Sequence, residues 1–185
     1  MPGSRDERDE ALNPPDRDTR GFGSTGANHG LRRYVPGDED GAIALWLRTW
    51  QAAYPQIDFA ARLGWWRERW RNELVPNAEI VVAEIGGTLA GFVTVNPRTF
   101  YLDQIVVAPE HWGSGVAKTL LDAARQLSPS GLDLDVNIDN ARAVGFYEKS
   151  GFYIGGAAVN PISGKPVHRM SWRPRRQAEA GSLEI

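Results

Sequence analysis

The feature that constrains this chain most is a strand followed by a glycine-rich loop and a helix. The apolar run around residues 104–107 predicts a strand, which Pro109 ends. A loop with two glycines at 113–115 comes next, and in the segment 114–127 apolar residues recur about every 3.6 residues, which predicts a helix. Such a loop presents backbone N–H groups and the positive end of a helix dipole to a ligand. The stretch therefore predicts a phosphate-binding site.

Two common phosphate motifs do not fit this loop. A dinucleotide-binding fingerprint needs a third glycine or alanine, and Lys118 stands at that position. A P-loop needs glycines where this chain has Ala117, directly before its Lys-Thr pair, and Trp112, further upstream. The loop must therefore hold its phosphate in another way.

The composition excludes several classes of function. The chain has 185 residues, of which 42% are hydrophobic, enough for one domain with a single core. Its 21 Lys and Arg against 23 Asp and Glu give a net charge of -2, so no basic field favours nucleic acid. It has no cysteine and only three scattered histidines, so we expect neither a disulfide nor a metal site. No apolar run approaches the roughly 18 residues of a membrane span, and we expect a soluble, cytoplasmic protein without a membrane partner.

Hydrophobic periodicity divides the chain into one domain between two polar tails. Residues 1–30 and 174–185 carry too few apolar side chains to order themselves, which predicts disordered tails around a domain at 31–173. The dipeptide Gly86-Gly87 predicts a hairpin. The predicted strands are 31–35, one on each side of that dipeptide, 99–109, 132–137, 152–156 and 167–172, and the predicted helices are 38–54, 58–72, 114–127 and 140–151.

Two motifs carry a resemblance to a known family. The stretch V-A-P-E-H-W-G-S-G-V-A-K-T-L-L resembles motif A of the GNAT superfamily of N-acetyltransferases, in which an R/Q-x-x-G-x-G/A loop binds the pyrophosphate of acetyl-CoA. Gly115 and Ala117 match, and Trp112 stands where the family has Arg or Gln. The stretch N-x-x-A-x-x-F-Y-E-x-x-G-F, from Asn140 to Phe152, resembles motif B of the same superfamily.

The resemblance implies a fold and a cofactor. The fold is a single α/β domain of the α+β type, with a mixed, mostly antiparallel, twisted sheet of about seven strands and flanking helices. Its fourth and fifth strands are parallel and splayed, which leaves a cleft for the pantetheine of acetyl-CoA. The implied cofactor-binding residues are Ile105, Val106, Val107, Trp112, Gly113, Ser114, Gly115, Val116, Ala117, Lys118, Asn140 and Tyr147. Asn140 also suits an ordinary helix N-cap.

The resemblance also implies catalytic positions. Tyr147 stands where the family donates a proton to the CoA sulfur, although a tyrosine that packs the helix against the sheet would look the same. Two carboxylates compete as the base, Asp103 and Glu84, and a water chain that serves both is a further option. Strand alternation predicts that Asp103 shares a face with Tyr101, Ile105 and Val107.

Aromatic residues mark the acceptor end. The segment W-L-R-T-W-Q-A-A-Y-P, from Trp46 to Pro55, resembles the region between the first two helices that closes over the acceptor in bacterial members of the family. Trp50, Tyr54 and Trp65 are the candidates for the acceptor pocket. Most tryptophans in these helices are expected in the core, and a protein- or membrane-surface interface is another reading of them. With Glu84 and Asp103 nearby, a cationic amine is a reasonable substrate on electrostatic grounds. The sequence does not distinguish among polyamines, aminoglycosides and peptide N-termini.

We therefore expect an acyltransferase that moves an acetyl group from acetyl-CoA to a primary amine of a small molecule or peptide. Attack is direct in a ternary complex, and the lack of cysteine favours a route without a covalent enzyme intermediate. The alternative is a GNAT-like sensor that binds acetyl-CoA without turnover. The sequence leaves open whether two copies form a homodimer.

Overall fold

The structure is a computed structural model that describes residues 30–161 and 163–174. The predicted N-terminal tail, apart from Gly30, and the predicted C-terminal tail, apart from Pro174, lie outside these ranges. The described strands are β1 (Gly30–Arg33), β2 (Glu79–Ile85), β3 (Thr88–Asn96), β4 (Tyr101–Val107), β5 (Leu132–Asn137), β6 (Tyr153–Val159) and β7 (Pro166–Trp172). The α-helices are α1 (Glu39–Ala53), α2 (Leu63–Arg69), α3 (Val75–Asn77), α4 (Val116–Leu127) and α5 (Ala141–Lys149).

Short 3₁₀ and π segments extend or connect these elements. A 3₁₀ turn at Pro36–Asp38 leads into α1, another at Ala60–Arg62 leads into α2, and a third at Pro109–His111 follows β4. A π-helical segment, Trp70–Leu74, joins α2 to α3, so the second predicted helix extends further than its periodicity indicated.

The strands form one sheet in the order β1-β2-β3-β4-β5-β7-β6. Every neighbouring pair is antiparallel except β4 and β5, which are parallel. These two share one register pair, Tyr101 opposite Asp133, and beyond it they separate. The predicted fold class, with a parallel and splayed central pair, is confirmed.

A tight turn joins β2 to β3 at the predicted dipeptide. Gly86 and Gly87 have φ angles of 57° and 77°. A two-residue hairpin of the type I′ class needs positive φ at both positions, which glycine adopts without steric cost. The predicted hairpin is confirmed.

Each face of the sheet carries its own apolar cluster. The helices α4 and α5 cover one face, where Leu120 and Leu121 pack against side chains of β2 to β5. The helices α1 and α2 cover the other, with Trp46, Trp66 and Trp70 in its core. We call these the back face and the front face. Burying each large apolar side chain stabilises the fold by about 1.5–3 kcal/mol, so these tryptophans hold the helices on the sheet rather than forming an exposed interface.

A bulge in β4 changes which side chains share a face. Thr94 lies opposite Gln104, and Val95 lies opposite Leu102, which leaves Asp103 as the extra residue. Ile105 packs in the back-face cluster, whereas Asp103 bonds to Arg69 of α2 on the front face. The expectation that Asp103 shares a face with Ile105 and Val107 is therefore wrong, because the bulge shifts the alternation by one residue.

Candidate active site

The gap between β4 and β5 exposes backbone groups of β4. The amide of Ala108 donates to the carbonyl of Ala90 in β3, over 2.8 Å. Because backbone groups alternate in direction along a strand, those of Val107 face the gap instead. The Val107 carbonyl accepts a hydrogen bond from the indole Nε1 of Trp112 (2.8 Å) and one from Thr49 Oγ1 (3.2 Å). The gap is thus lined by strand backbone that no other strand pairs.

The glycine loop presents a row of backbone donors. Gly113 and Gly115 have φ angles of 83° and 94°, in the left-handed region that favours glycine. The hydroxyl and amide of Ser114 both bond to the His111 carbonyl, which turns the loop back on itself. The first hydrogen bond into α4 runs from the amide of Thr119 to Gly115, over 3.1 Å.

The loop fits a diphosphate by its donors and by its space. Five amides donate to no acceptor within the described residues, and a Cβ built on either glycine meets no atom within 4 Å. Unpaired N–H groups at a helix N-terminus attract anions. The five amides are those of Gly113, Gly115, Val116, Ala117 and Lys118.

Tyr147 is buried on the back face of the gap. Its ring packs between Phe146 and Phe152, with 5.3 Å between ring centres in both cases. Burial raises the pKa of its hydroxyl, and nearby Tyr101 raises it further, so the phenol stays protonated. The hydroxyl forms no hydrogen bond with any residue that the structure describes. It therefore keeps a proton that it can donate.

Asn140 caps α5. Its side-chain oxygen accepts a hydrogen bond from the amide of Ala143, over 3.1 Å. The expected role of this residue as an N-cap is therefore confirmed. Its contact with pantetheine stays a prediction, and the side-chain Nδ2, which donates to no described residue, is the group that could make it.

Both predicted base candidates are held by arginines. Asp103 forms a two-pronged ion pair with Arg69, with 2.9 Å between Nη1 and Oδ1, and both side chains are mostly buried. Glu84 accepts from Arg32, which also bonds to Asp38. Glu84 lies in β2, two strands from β4, and thus roughly 10 Å from that strand. The structure does not bring the two carboxylates together.

A third carboxylate lies beside the gap. The alternation L-D-L-D-V-N places Leu134 and Val136 in the back-face core and turns Asp135 to the front face. Its one charged partner among the described residues is Arg169, at 3.8 Å. Burial, together with the charges of Asp135 and Asp103, raises the pKa of Tyr101 to about 12, so the phenol and both carboxylates share one region. The same alternation was the signal in the sequence that could have identified Asp135.

The acceptor candidates fall into two groups. Trp50 and Tyr54 stack with 5.9 Å between ring centres, near the end of β5. The hydroxyl of Tyr54 donates to Asp139 (3.2 Å), and Lys165 Nζ lies 4.8 Å from the Tyr54 ring centre. Trp65 is separate from this pair: it packs on Trp66 and Arg69, and it is 40% exposed.

Local charges act on the Trp50 and Tyr54 group. Burial raises the pKa of Tyr54, and the hydrogen bond from Lys165 lowers the pKa of Asp139. The indole N–H of Trp50 is buried without a hydrogen-bond partner among the described residues. An amine substrate at this position would therefore meet the protonated phenol of Tyr54, the carboxylate of Asp139 and the unpaired indole N–H of Trp50.

Among the residues that the structure describes, no three His, Asp or Glu side chains gather in a way that would hold a metal ion. No described helix is both long enough and apolar enough to cross a membrane.

The chain is similar to known acetyltransferases over most of its length. The profile of the Acetyltransferase (GNAT) family matches residues 21–152. The peptidyl-lysine N-acetyltransferase YjaB of Salmonella typhimurium is 31% identical over 137 residues, which are 74% of this chain and 91% of that protein. The peptidyl-lysine N-acetyltransferase YiaC of Escherichia coli is 32% identical over 133 residues, which cover 70% of this chain and 87% of that one. The solution structure of apo YjaB from Escherichia coli superposes with a TM-score of 0.63 at 25% identity, over 77% of this chain and 96% of that one.

Proposed function

This chain belongs to the GNAT family of acetyltransferases, and from that premise we propose that it acetylates the side-chain amine of lysine in a peptide or protein. As a GNAT-type N-acetyltransferase it uses acetyl-CoA. Its two relatives named above are both peptidyl-lysine N-acetyltransferases. The observation that carries the lysine proposal is Asp135, a carboxylate on the front face of the gap whose one charged partner among the described residues is Arg169, at 3.8 Å.

The chain's own residues would hold the cofactor at the loop and along β4. The loop amides from Gly113 to Lys118 bind the diphosphate, and the backbone of Ile105 and Val107 pairs with the pantetheine across the gap. Asn140 adds a side-chain amide. When bound, acetyl-CoA supplies an acetyl group that is activated as a thioester.

Two proton transfers need residues at the gap. A lysine amine is protonated at neutral pH and must lose a proton before it can attack. Asp135 attracts the ammonium ion and accepts its proton, directly or through one water. Tyr147 Oη lies on the back face, and it donates its proton to the sulfur that leaves. The backbone N–H of Val107 faces the gap and stabilises the negative charge that develops on the acetyl oxygen.

Asp135 replaces Asp103 and Glu84 as the preferred base in this proposal. Each of those two carboxylates accepts hydrogen bonds from a guanidinium, and taking up a proton would break an ion pair. Asp103 acts instead through Arg69, which it holds beside Trp65. The lysine stem would pack against Trp50 and Tyr54, with Trp65 as a separate contact beside Arg69, because aromatic rings pack well against methylene groups and cations.

The experiment compares three kinds of amine by mass spectrometry with acetyl-CoA as donor. The substrates are a peptide with one lysine and a blocked N-terminus, the same peptide with arginine for lysine and a free N-terminus, and spermidine. We expect one acetyl group on the lysine peptide and much less product on the other two. Product on spermidine or on the N-terminus alone would overturn the lysine proposal.

A tyrosine variant separates turnover from binding in the same assay. Tyr147→Phe should lower kcat about 10-fold to 100-fold and leave CoA affinity nearly unchanged, because it removes the hydroxyl that donates the proton and keeps the ring. The matched control is Tyr153→Phe, at an exposed position in β6. An equal loss of kcat and CoA affinity in Tyr147→Phe would make the residue structural. Bound acetyl-CoA without product or thiol release on any amine would favour the sensor alternative.

A further inference from the structure

The loop departs from the family pattern at Trp112, and a cation lies on that residue. The guanidinium carbon of Arg142 is 3.9 Å from the centre of the Trp112 ring. A guanidinium at this distance from an indole face is held by cation–π attraction. The indole is itself fixed at its other edge, because Nε1 donates to the Val107 carbonyl over 2.8 Å.

The stack spans the mouth of the gap. Trp112 belongs to the loop that follows β4, and Arg142 lies in the first turn of α5, which follows β5. The two residues thus meet where the two strands have separated, next to the row of unpaired loop amides. An anion that those amides bind would lie close to this guanidinium.

The charge of Arg142 is the least compensated one near the loop. Lys118 pairs with Asp122 at 2.6 Å, and Arg48 pairs with Glu110 at 2.8 Å. Arg142 is exposed and pairs with no carboxylate among the described residues. The stack occupies the face of the guanidinium and leaves its N–H edge for a ligand, and that edge matches phosphate oxygens.

We propose that Arg142, held in place by Trp112, binds a phosphate of the coenzyme and supplies the cation that the loop lacks at position 112. The Trp112–Arg142 pair then binds the phosphate in place of the Arg or Gln that the family has at this position. This inference concerns the coenzyme alone and does not depend on which amine is acetylated.

Isothermal titration calorimetry of the full chain tests the contact with three ligands: CoA, 3′-dephospho-CoA and pantetheine, which has no phosphate. We expect Arg142→Ala to weaken CoA binding by about 10-fold to 100-fold, the range for a lost charge-assisted hydrogen bond. Pantetheine binding should not change. A loss that persists with 3′-dephospho-CoA places the contact at the diphosphate, and a loss that disappears places it at the 3′-phosphate.

The matched control is Lys149→Ala, which removes the same charge from the other end of α5, roughly 10 Å along the helix. Arg142→Gln serves as a second variant with a longer polar side chain, and thermal unfolding of each ligand-free variant verifies that it folds. The proposal is overturned if Arg142→Ala matches Lys149→Ala, if pantetheine binding falls equally, or if the wild-type chain does not bind CoA. Equal loss with pantetheine would mean that the stack only braces the gap.

Discussion

At the scale of single residues, the titrating oxygens at the gap differ in their surroundings. The hydroxyl of Tyr147 sits among aromatic rings, and burial raises its pKa. Burial and two nearby carboxylates raise the pKa of Tyr101 to about 12. Both phenols keep their protons over the working pH range of an enzyme. The carboxylate of Asp135, by contrast, has only a distant ion-pair partner in the described chain.

These shifts predict the alkaline side of the pH profile. Acetyl transfer should accelerate as pH rises and the lysine amine loses its proton, and kcat should show no decline up to about pH 10, because a raised pKa keeps Tyr147 protonated. The same shift stabilises the fold fully below the ordinary tyrosine pKa, and this contribution is lost as pH rises above it. Steady-state kinetics between pH 7 and pH 10.5 checks the profile. A decline of kcat with a midpoint near pH 9 would contradict it.

Two aspartates at the gap should respond differently to the same substitution. Asp135→Asn should lower kcat/KM for a lysine peptide about 10-fold or more and leave the free energy of unfolding nearly unchanged, because its ion pair is long. Asp103→Asn should lower the free energy of unfolding by about 1–3 kcal/mol, because it leaves Arg69 without its two-pronged partner. Kinetics and urea unfolding of both variants measure the contrast. The reverse pattern would make Asp103 the base.

At the scale of elements, the loop between β4 and α4 and the contact of α4 with the sheet each depend on a glycine. Gly115 has a left-handed backbone and open space beside it. Gly91 in β3 has the opposite surroundings: a Cβ there would lie 2.7 Å from the Val106 carbonyl oxygen and 2.9 Å from Leu120 Cδ1. One glycine leaves room for a ligand, and the other lets a helix approach a strand.

Gly115→Val should abolish CoA binding. A branched side chain would occupy the space through which a phosphate reaches the loop amides, and it would strain a φ of 94°. The matched control is Gly87→Val in the β2–β3 turn, where φ is 77° and a Cβ also meets no atom within 4 Å. Both variants should lose stability, and only Gly115→Val should lose CoA in a calorimetric titration. Unchanged CoA binding would refute the assignment of the loop.

Gly91→Ala should lower the free energy of unfolding by about 1–3 kcal/mol, the usual effect of overpacking a core. The clash involves a backbone oxygen, which cannot move away as a flexible side chain can. Gly64→Ala in α2 is the control. A Cβ added at Gly64 meets no atom within 4 Å, and alanine stabilises a helix by about 0.5–1 kcal/mol relative to glycine. Urea unfolding should therefore shift in opposite directions for the two variants.

At the scale of the whole molecule, the gap is a product of strand order. The chain leaves β4, crosses over through α4 and returns as β5 beside it, and β5 then pairs with β7 along its full length. On one side of the gap β4 pairs with β3, and on the other side β5 pairs with β7. Beyond its single register pair with β5, β4 keeps one unpaired edge. A ligand in the gap would complete hydrogen bonds that the sheet leaves open.

Hydrogen exchange should reveal occupancy of the gap as slower exchange of the amides that line it. On addition of CoA, the amides of Ile105 and Val107 and the unpaired amides of the loop at 113–118 should exchange more slowly, because the ligand covers them. Amides of the β2–β3 hairpin should keep their rates, since both strands are already paired. Mass spectrometry of peptic fragments measures both regions. Equal protection throughout the sheet would indicate a global gain in stability instead of occupancy of the gap.

The sequence alone determined the order of helices and strands, the hairpin at Gly86-Gly87 and the two family motifs, because hydrophobic period, turn chemistry and loop glycines are local properties. Only the tertiary structure decided which side chains meet. The bulge at Asp103 depends on pairing with β3, and the partners Arg69 and Arg32 come from distant elements. The stack of Arg142 on Trp112 forms because the segments that follow β4 and β5 meet at the mouth of the gap between these strands. Such contacts depend on packing between residues far apart in the chain, which no local pattern records.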